Sequence, residues 1–211
     1  MFTGLIEEVG VLRRFEPLAG GRRLVVGCKK VLEGMAVGDS LSINGVCQTV
    51  VDVGGEWTAV EAVGDTLAKT TLGLLAPGAP LNLERACRAD TRMGGHFVLG
   101  HVQRVEKVLT WSDQGAAWNL EVSLDSSIKR YLVAEGSVAV DGVSLTVAEL
   151  TARGFRVSVI PHTRAVTRLA QMASGDLVNI EVDILAKYVE SLMDPGRKGL
   201  DLESLKRWGY R

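Results

Sequence analysis

The sequence predicts an all-β protein of two tandem, homologous, small closed β-barrels of Greek-key type, with short helices and a C-terminal α-helix. Three observations carry this expectation. The chain repeats itself, each repeat is written in short alternating strands, and only the final stretch has a helical period with no counterpart in the repeat.

Laid on itself, the 211-residue chain pairs Ser40 with Ser137, Gly45 with Gly142, Val46 with Val143, Thr49 with Thr146 and Val50 with Val147. Downstream, Thr66 meets Thr163, Thr70 meets Thr167, Leu72 meets Leu169, Asn82 meets Asn179 and Glu84 meets Glu181; upstream, Gly4 meets Gly100 and Ile6 meets Val102. A nearly constant offset over most of each half implies two copies of one unit. The units run from Met1 to Thr91 and from Arg92 to Leu185, with the polar "RADTRMGG" at their junction and a third segment, 186–211, after them.

Each unit reads as β. Asn44-Gly45 and Asp141-Gly142 are two-residue hairpin signals, because both central positions of a type I′ turn need positive φ. Val138 and Val140 alternate before the second turn, and Val143, Leu145 and Val147 after it, as strands with one buried face do. Further strands are expected at "RRLVVGC", "WTAVEAV", "AWNLEVSL" and "FRVSVIP", and a short helix at "SSIKRYLVAEG" behind the cap candidate Ser126. Many short strands per unit suggest a closed barrel in each. Beyond the repeat, Tyr188, Val189, Leu192, Leu205 and Trp208 fall at helical spacings. This apolar helix needs a covering surface, either another copy of the chain or its own barrel.

Composition bounds the function. With 46% apolar residues the chain can bury a proper core, and 24 basic against 25 acidic side chains leave a net charge of −1. No general field draws it to nucleic acid or acidic membranes. Carboxylates in "MFTGLIEEVG" argue against a signal peptide, and no apolar run approaches the ~18 residues of a membrane span, so a cytoplasmic protein is expected. Cys28, Cys47 and Cys87 are odd in number and lack C-x-x-C spacing, which argues against disulfides and zinc.

The period of two also locates candidate chemistry. If Val143, Leu145 and Val147 face inward, Ser144 and Thr146 face outward, as do Cys47 and Thr49 in the first unit. A polar outer strand face is the plain explanation. The differences between copies are more specific: Leu5 becomes His101, Asn44 becomes Asp141, Cys47 becomes Ser144 and Gln48 becomes Leu145. Matching scaffolds that carry different groups at a few clustered places suit two sites that bind similar molecules and use them differently.

The ordered set "MFTGLIEEVG", "SINGVCQTV", "GGHFVLGHV", "DGVSLTV" and "IPHT" resembles the α-type riboflavin synthases over essentially the whole chain. The resemblance implies two lumazine-binding barrels and dismutation of two molecules of 6,7-dimethyl-8-ribityllumazine to riboflavin and 5-amino-6-ribitylaminouracil, with no metal and no added cofactor. It also implies a homotrimer held by the C-terminal helices, with the site between barrels of different subunits. His101 would be the catalytic base, since imidazole titrates near neutrality. Ser144 and Thr146, with Asp141 nearby, would hold the ring in the C-terminal barrel; Cys47 and Thr49 would do so in the N-terminal one. Backbone groups of Gly4, Leu5 and Ile6 and of Gly100, His101 and Val102 would meet the flat heterocycle. Further contacts would come from Gln48, Glu61, Ala62 and Val63, from Leu145, and from Ile160, Pro161, His162, Thr163, Arg164 and Ala165.

His96, after two glycines, reads as a cap of the inter-barrel turn, and Trp57, Trp111 and Trp118 as packing. Three positions depart from the family pattern. Glu135 stands where a ligand-contacting lysine is common and is left outside the site. Arg164 and Arg168 replace apolar or hydroxylated residues, and Gln48 replaces leucine. A non-catalytic lumazine or flavin carrier of the same fold is the alternative, and a plain β-barrel interaction module a third reading.

Overall fold

The computed structural model describes residues 1–193 and 206–209. The first unit contains β1 (Glu8–Leu18), β2 (Gly21–Gly27), β3 (Ser40–Ile43), β4 (Val46–Gly54), β5 (Trp57–Val63) and β6 (Pro80–Arg85), with α1 (Gly64–Lys69) and a 3-10 turn (Thr71–Leu74) between β5 and β6. The second repeats the plan with β7 (Arg104–Asp113), β8 (Trp118–Ser123), α2 (Ser126–Lys129), β9 (Ser137–Val140), β10 (Val143–Leu150), β11 (Gly154–Val159), α3 (Pro161–Ala165), a 3-10 turn (Arg168–Gln171) and β12 (Leu177–Val182), followed by α4 (Ile184–Met193).

Each set of six antiparallel strands closes into a barrel, in the order β1-β2-β5-β4-β3-β6 and, equivalently, around β10-β11-β8-β7-β12-β9. The chain crosses a barrel end between β2 and β3 instead of pairing them, which is the Greek-key step. Register shifts recur at matching places, between Leu12 and Arg14 and between Val50 and Asp52 in one barrel, and between Val108 and Thr110 and between Val147 and Glu149 in the other. Such bulges bend a strand and help close a small barrel.

Both hairpins have the expected turn chemistry. Asn44 and Gly45 have φ of 48° and 75°, and Asp141 and Gly142 have 46° and 79°. The glycines also meet each other across the barrels: a Cβ on Gly45 would stand 2.6 Å from the Gly142 nitrogen. The alternation holds too, with Val143, Leu145 and Val147 buried in the second core beside Leu120, Phe155 and Ile180. The first core gathers Leu12, Leu24, Ile43, Val50, Leu72 and Leu83.

One detail differs from the sequence reading. The cap of α2 is Asp125, whose side chain accepts from the Ser127 amide, so the helix begins at Ser126 instead of being capped by it. Of the two covers the sequence left open for α4, its own barrel does not bury the apolar stripe: the helix contains no buried residue, and Leu185, Tyr188, Val189 and Leu192 are all exposed. Its Glu190 reaches back to Tyr131 and Arg130 through polar contacts. Leu205, assigned to the same helical stretch, lies outside the described residues, while Trp208 is described and exposed.

The barrels are joined by a buried polar network with near two-fold symmetry. Asn179 Nδ2 donates to the Asn44 carbonyl at 2.8 Å, and Asn82 Nδ2 donates to the Asp141 carbonyl at 2.9 Å. Asn179 Oδ1 accepts from the Thr71 amide, and Asn82 Oδ1 from the Arg168 amide. The halves differ at one pair. Where the first unit has neutral Asn44 and Thr71, the second has Asp141 and Arg168, whose Nε lies 2.8 Å from the carboxylate.

Candidate active site

Reciprocal exchange builds the outer faces of the barrels. The segment entering the first unit runs across to the second barrel, where the Gly4 carbonyl accepts from the Ser144 amide at 2.8 Å and Ile6 packs against the second core. The segment entering the second unit runs across to the first barrel, where the Gly100 carbonyl accepts from the Cys47 amide at 2.9 Å and Val102 packs against the first core. Phe2 and Val98 pair where the segments pass each other. Both glycines are required by conformation and by space. They have φ of 77° and 79°, and a Cβ would stand 2.6 Å from Ser144 Cβ at Gly4 and 2.5 Å from Cys47 Cβ at Gly100.

This exchange corrects the grouping drawn from sequence. His101 belongs to the second unit by sequence, which pointed to the C-terminal barrel, yet its segment lies along β4 of the first barrel beside Cys47. Leu5 lies with Ser144 on the second. One outer face therefore holds half-buried Cys47 with exposed Thr49, Glu61, Val63 and His101; the other holds half-buried Ser144 and Thr163 with exposed Thr146, Leu5 and Ile160. Leu5, Val63 and Ile160 are 49%, 61% and 57% exposed, so each face offers apolar surface beside hydroxyl or thiol groups. Such a mixture suits a flat heterocycle with a polyhydroxylated chain.

Not every expected contact reaches these faces. Gln48, Ala62 and Leu145 are turned inward by the strand alternation and are buried, leaving only their backbone atoms to the outside. Gln48 Nε2 turns back to the Cys47 carbonyl at 2.6 Å. Asp141 is fully buried in the inter-barrel network, accepting from the Asn179 amide and from Arg168. Burial raises its pKa, while the Arg168 charge and the hydrogen bonds oppose that rise. Its carboxylate is engaged in joining the barrels. On α3, Pro161, His162 and Ala165 are exposed. Arg164 stacks over the Trp118 ring at 4.1 Å, and Trp118 packs at 4.9 Å against Trp111.

His96, which the sequence offered only as a cap of the inter-barrel turn, has a contact that the sequence did not reveal. It is buried, and its Nδ1 lies 2.7 Å from Ser144 Oγ. Its Nε2 is buried with no hydrogen-bond partner among the described residues. Burial lowers the His96 pKa and the charge of Asp183 pulls against it, which favours a neutral ring able to exchange a proton with Ser144. The available signal was the pair of glycines before it: a Cβ on Gly95 would stand 2.0 Å from the Thr3 carbonyl, so the chain passes there without side-chain room.

A cleft of about 660 Å³ is lined by Leu5, Glu7, Met35, Ser40, Arg85 and Cys87, among others, and includes none of Cys47, His101, Ser144 and Thr146. Those four lie on open barrel faces.

Comparison with known proteins agrees with this architecture. The lumazine binding domain matches twice, at residues 3–86 and 99–183. The riboflavin synthase of Mycobacterium bovis is 43% identical, with 92% of this chain and 98% of the relative covered. That of Bacillus subtilis is 39% identical, covering 90% and 88%, and that of Schizosaccharomyces pombe 36%, covering 92% and 94%. Among solved structures, LumP complexed with 6,7-dimethyl-8-(1′-D-ribityl)lumazine superposes with a TM-score of 0.78 at 20% identity, over 86% of this chain and 99% of that one, a likeness of fold. With two lumazine-binding domains in tandem and riboflavin synthases matched along nearly its whole length, the chain belongs to the riboflavin synthase family.

Proposed function

We propose that this enzyme transfers a four-carbon unit between two molecules of 6,7-dimethyl-8-ribityllumazine, releasing riboflavin and 5-amino-6-ribitylaminouracil. The two products together contain all the atoms of the two substrates, so the reaction balances without a cofactor. The observation that carries the reading is the pair of reciprocally built faces, alike in scaffold and different in chemistry, with Cys47, Thr49 and His101 on one and Thr146 and Ser144, the latter backed by buried His96, on the other. Two copies of one compound must be held alike but react differently, and positioning them face to face supplies much of the rate.

The chemistry needs a proton removed from the C7 methyl of one lumazine and the resulting anion stabilised while the other ring is attacked. His101 would be the base, with hydroxyl and thiol groups as hydrogen-bonding partners. Gly4 to Ile6 and Gly100 to Val102 would frame the rings with backbone groups. Glu61, Val63 and Ile160 to Ala165 would border the ribityl chains, and Arg164, held by Trp118, would stand at the rim of the second face. Asp141 would act by fixing the barrel hairpins.

Each open face would be completed by the opposite face of another subunit in a homotrimer, with Met1 to Thr91 and Arg92 to Leu185 as lumazine-binding units and the segment from Ala186 as the assembly element. The uncovered apolar surface of α4 supports this role. Three free thiols fit the reducing cytoplasm.

The test is incubation of purified protein with the lumazine alone. Riboflavin fluorescence should appear in the presence of chelator. Saturable binding without turnover would identify a carrier instead, and no binding would leave an interaction module. For assembly, Tyr188→Glu with Leu192→Glu should convert a trimer to monomers with depressed turnover; a monomer at full activity would place the site within one chain.

A further inference from the structure

Glu84 and Glu181 occupy equivalent places on β6 and β12, and both are buried, at 4% and 3% exposure. Neither is paired with a cation within salt-bridge distance among the described residues. A buried, unpaired carboxylate is costly unless hydrogen bonds replace its water. Here the donors are the amides of the exchanged segments. Glu181 Oε1 accepts from the Leu99 amide at 2.7 Å, and its Oε2 accepts from the Gly100 and His101 amides at 2.9 Å each. Glu84 accepts from the amide and hydroxyl of Thr3 at 2.6 and 2.7 Å and from the Gly4 amide at 3.0 Å.

The arrangement gives each segment two anchors on different barrels. Gly100 is held through its nitrogen by Glu181 of the second barrel and through its carbonyl by the Cys47 amide of the first. His101 follows directly, its own amide on the same carboxylate oxygen. We propose that Glu181 is the positioning residue for His101, a rigid acceptor for three consecutive amides that sets the imidazole on the outer face of the first barrel, and that Glu84 is its counterpart for Leu5. The assignment rests on the reading of His101 as the base. Glutamine cannot substitute, because one of its two terminal atoms is a donor and would oppose a backbone N–H.

The two positions make an internal control, since each accepts three hydrogen bonds from its crossing segment, Glu181 from three amides and Glu84 from two amides and the Thr3 hydroxyl, but only Glu181 has an imidazole behind it. Misplacing a catalytic group by about 1 Å can cost ~10²-fold in rate. Glu181→Gln should therefore lower kcat by ~10-fold or more with KM changed less than about three-fold, and Glu84→Gln should lower kcat less. A purely structural role predicts equal losses and multiplication of effects. Action through His101 predicts that Glu181→Gln adds little on top of His101→Gln, so the double variant should turn over within about two-fold of His101→Gln alone. Riboflavin binding, followed by quenching of its fluorescence, checks that each variant is folded, and Glu181→Asp, which keeps the charge one methylene short, provides a milder variant with an intermediate kcat. The proposal is overturned if folded Glu181→Gln keeps kcat within two-fold of the parent, or if its effect multiplies fully with that of His101→Gln. Full turnover in His101→Gln alone overturns the base assignment and this inference with it, whereas loss in His101→Gln beside normal Glu181→Gln overturns only the latter.

Discussion

His96 Nδ1 and Ser144 Oγ stand 2.7 Å apart, one on the junction between the units and the other on β10 of the second barrel. The pair couples a buried ring to a half-buried hydroxyl on a candidate ligand face, and burial holds the ring below its ordinary pKa. Removing the ring by His96→Gln should reduce kcat by ~10-fold or more and shift the acid limb of the kcat profile. An unchanged rate and pH profile would show that the contact only packs the junction.

The same burial has a consequence for stability. A histidine whose folded pKa is depressed binds fewer protons folded than unfolded, so its contribution is complete above the unfolded value of ~6.5 and is lost as pH falls through that value toward the folded one. Between pH 7 and pH 5 the parent should lose more Tm than His96→Gln does. Equal losses in thermal melts would refute the linkage.

His101 has no imidazole counterpart in the first unit, where Leu5 takes its place, so the two positions should respond differently. His101→Gln should lower turnover at saturating lumazine by ~10²–10⁴-fold, while Leu5→Gln mainly weakens binding. Turnover within a few-fold of the parent for His101→Gln, with collapse for Leu5→Gln, would reverse the assignment.

The three thiols should separate by reactivity. Cys28 is buried, and burial with the nearby charge of Glu8 pushes its pKa to about 11, so it should resist alkylation at pH 8, whereas half-buried Cys47 and Cys87 should react. Bound lumazine or riboflavin should protect Cys47 and leave Cys87 reactive. Mass spectrometry of the labelled peptides reads this directly, and equal protection of both would move the ligand away from β4.

The Asp141–Arg168 pair should behave as a unit. Arg168→Thr strands a fully buried carboxylate and should cost ~3–5 kcal/mol, whereas Asp141→Asn with Arg168→Thr recreates the Asn44 and Thr71 arrangement of the first unit and should recover most of the loss. Denaturant unfolding of the single and double variants measures the difference; a double variant as unstable as the single one would show that the charge pair itself is needed to dock the barrels.

The sequence by itself determined the duplication, the hairpins at Asn44-Gly45 and Asp141-Gly142, and which side of β10 faces outward, because each depends on local φ preferences or on a period of two. It also offered Cys47, Thr49, His101, Ser144 and Thr146 as candidates. Tertiary structure alone decided how these combine. Exchange of the entering segments sets His101 beside Cys47 instead of Ser144, and no local pattern records which barrel a segment crosses to. The contacts of His96, Glu84 and Glu181 were hidden for the same reason: their partners lie 48, 81 and 82 residues away at the most distant, and the surroundings of a buried histidine or glutamate are set by the amides and hydroxyls that folding brings around it. Asp141 shows the converse, since a divergent residue in a hairpin looked like chemistry until burial against Arg168 showed it joining the barrels.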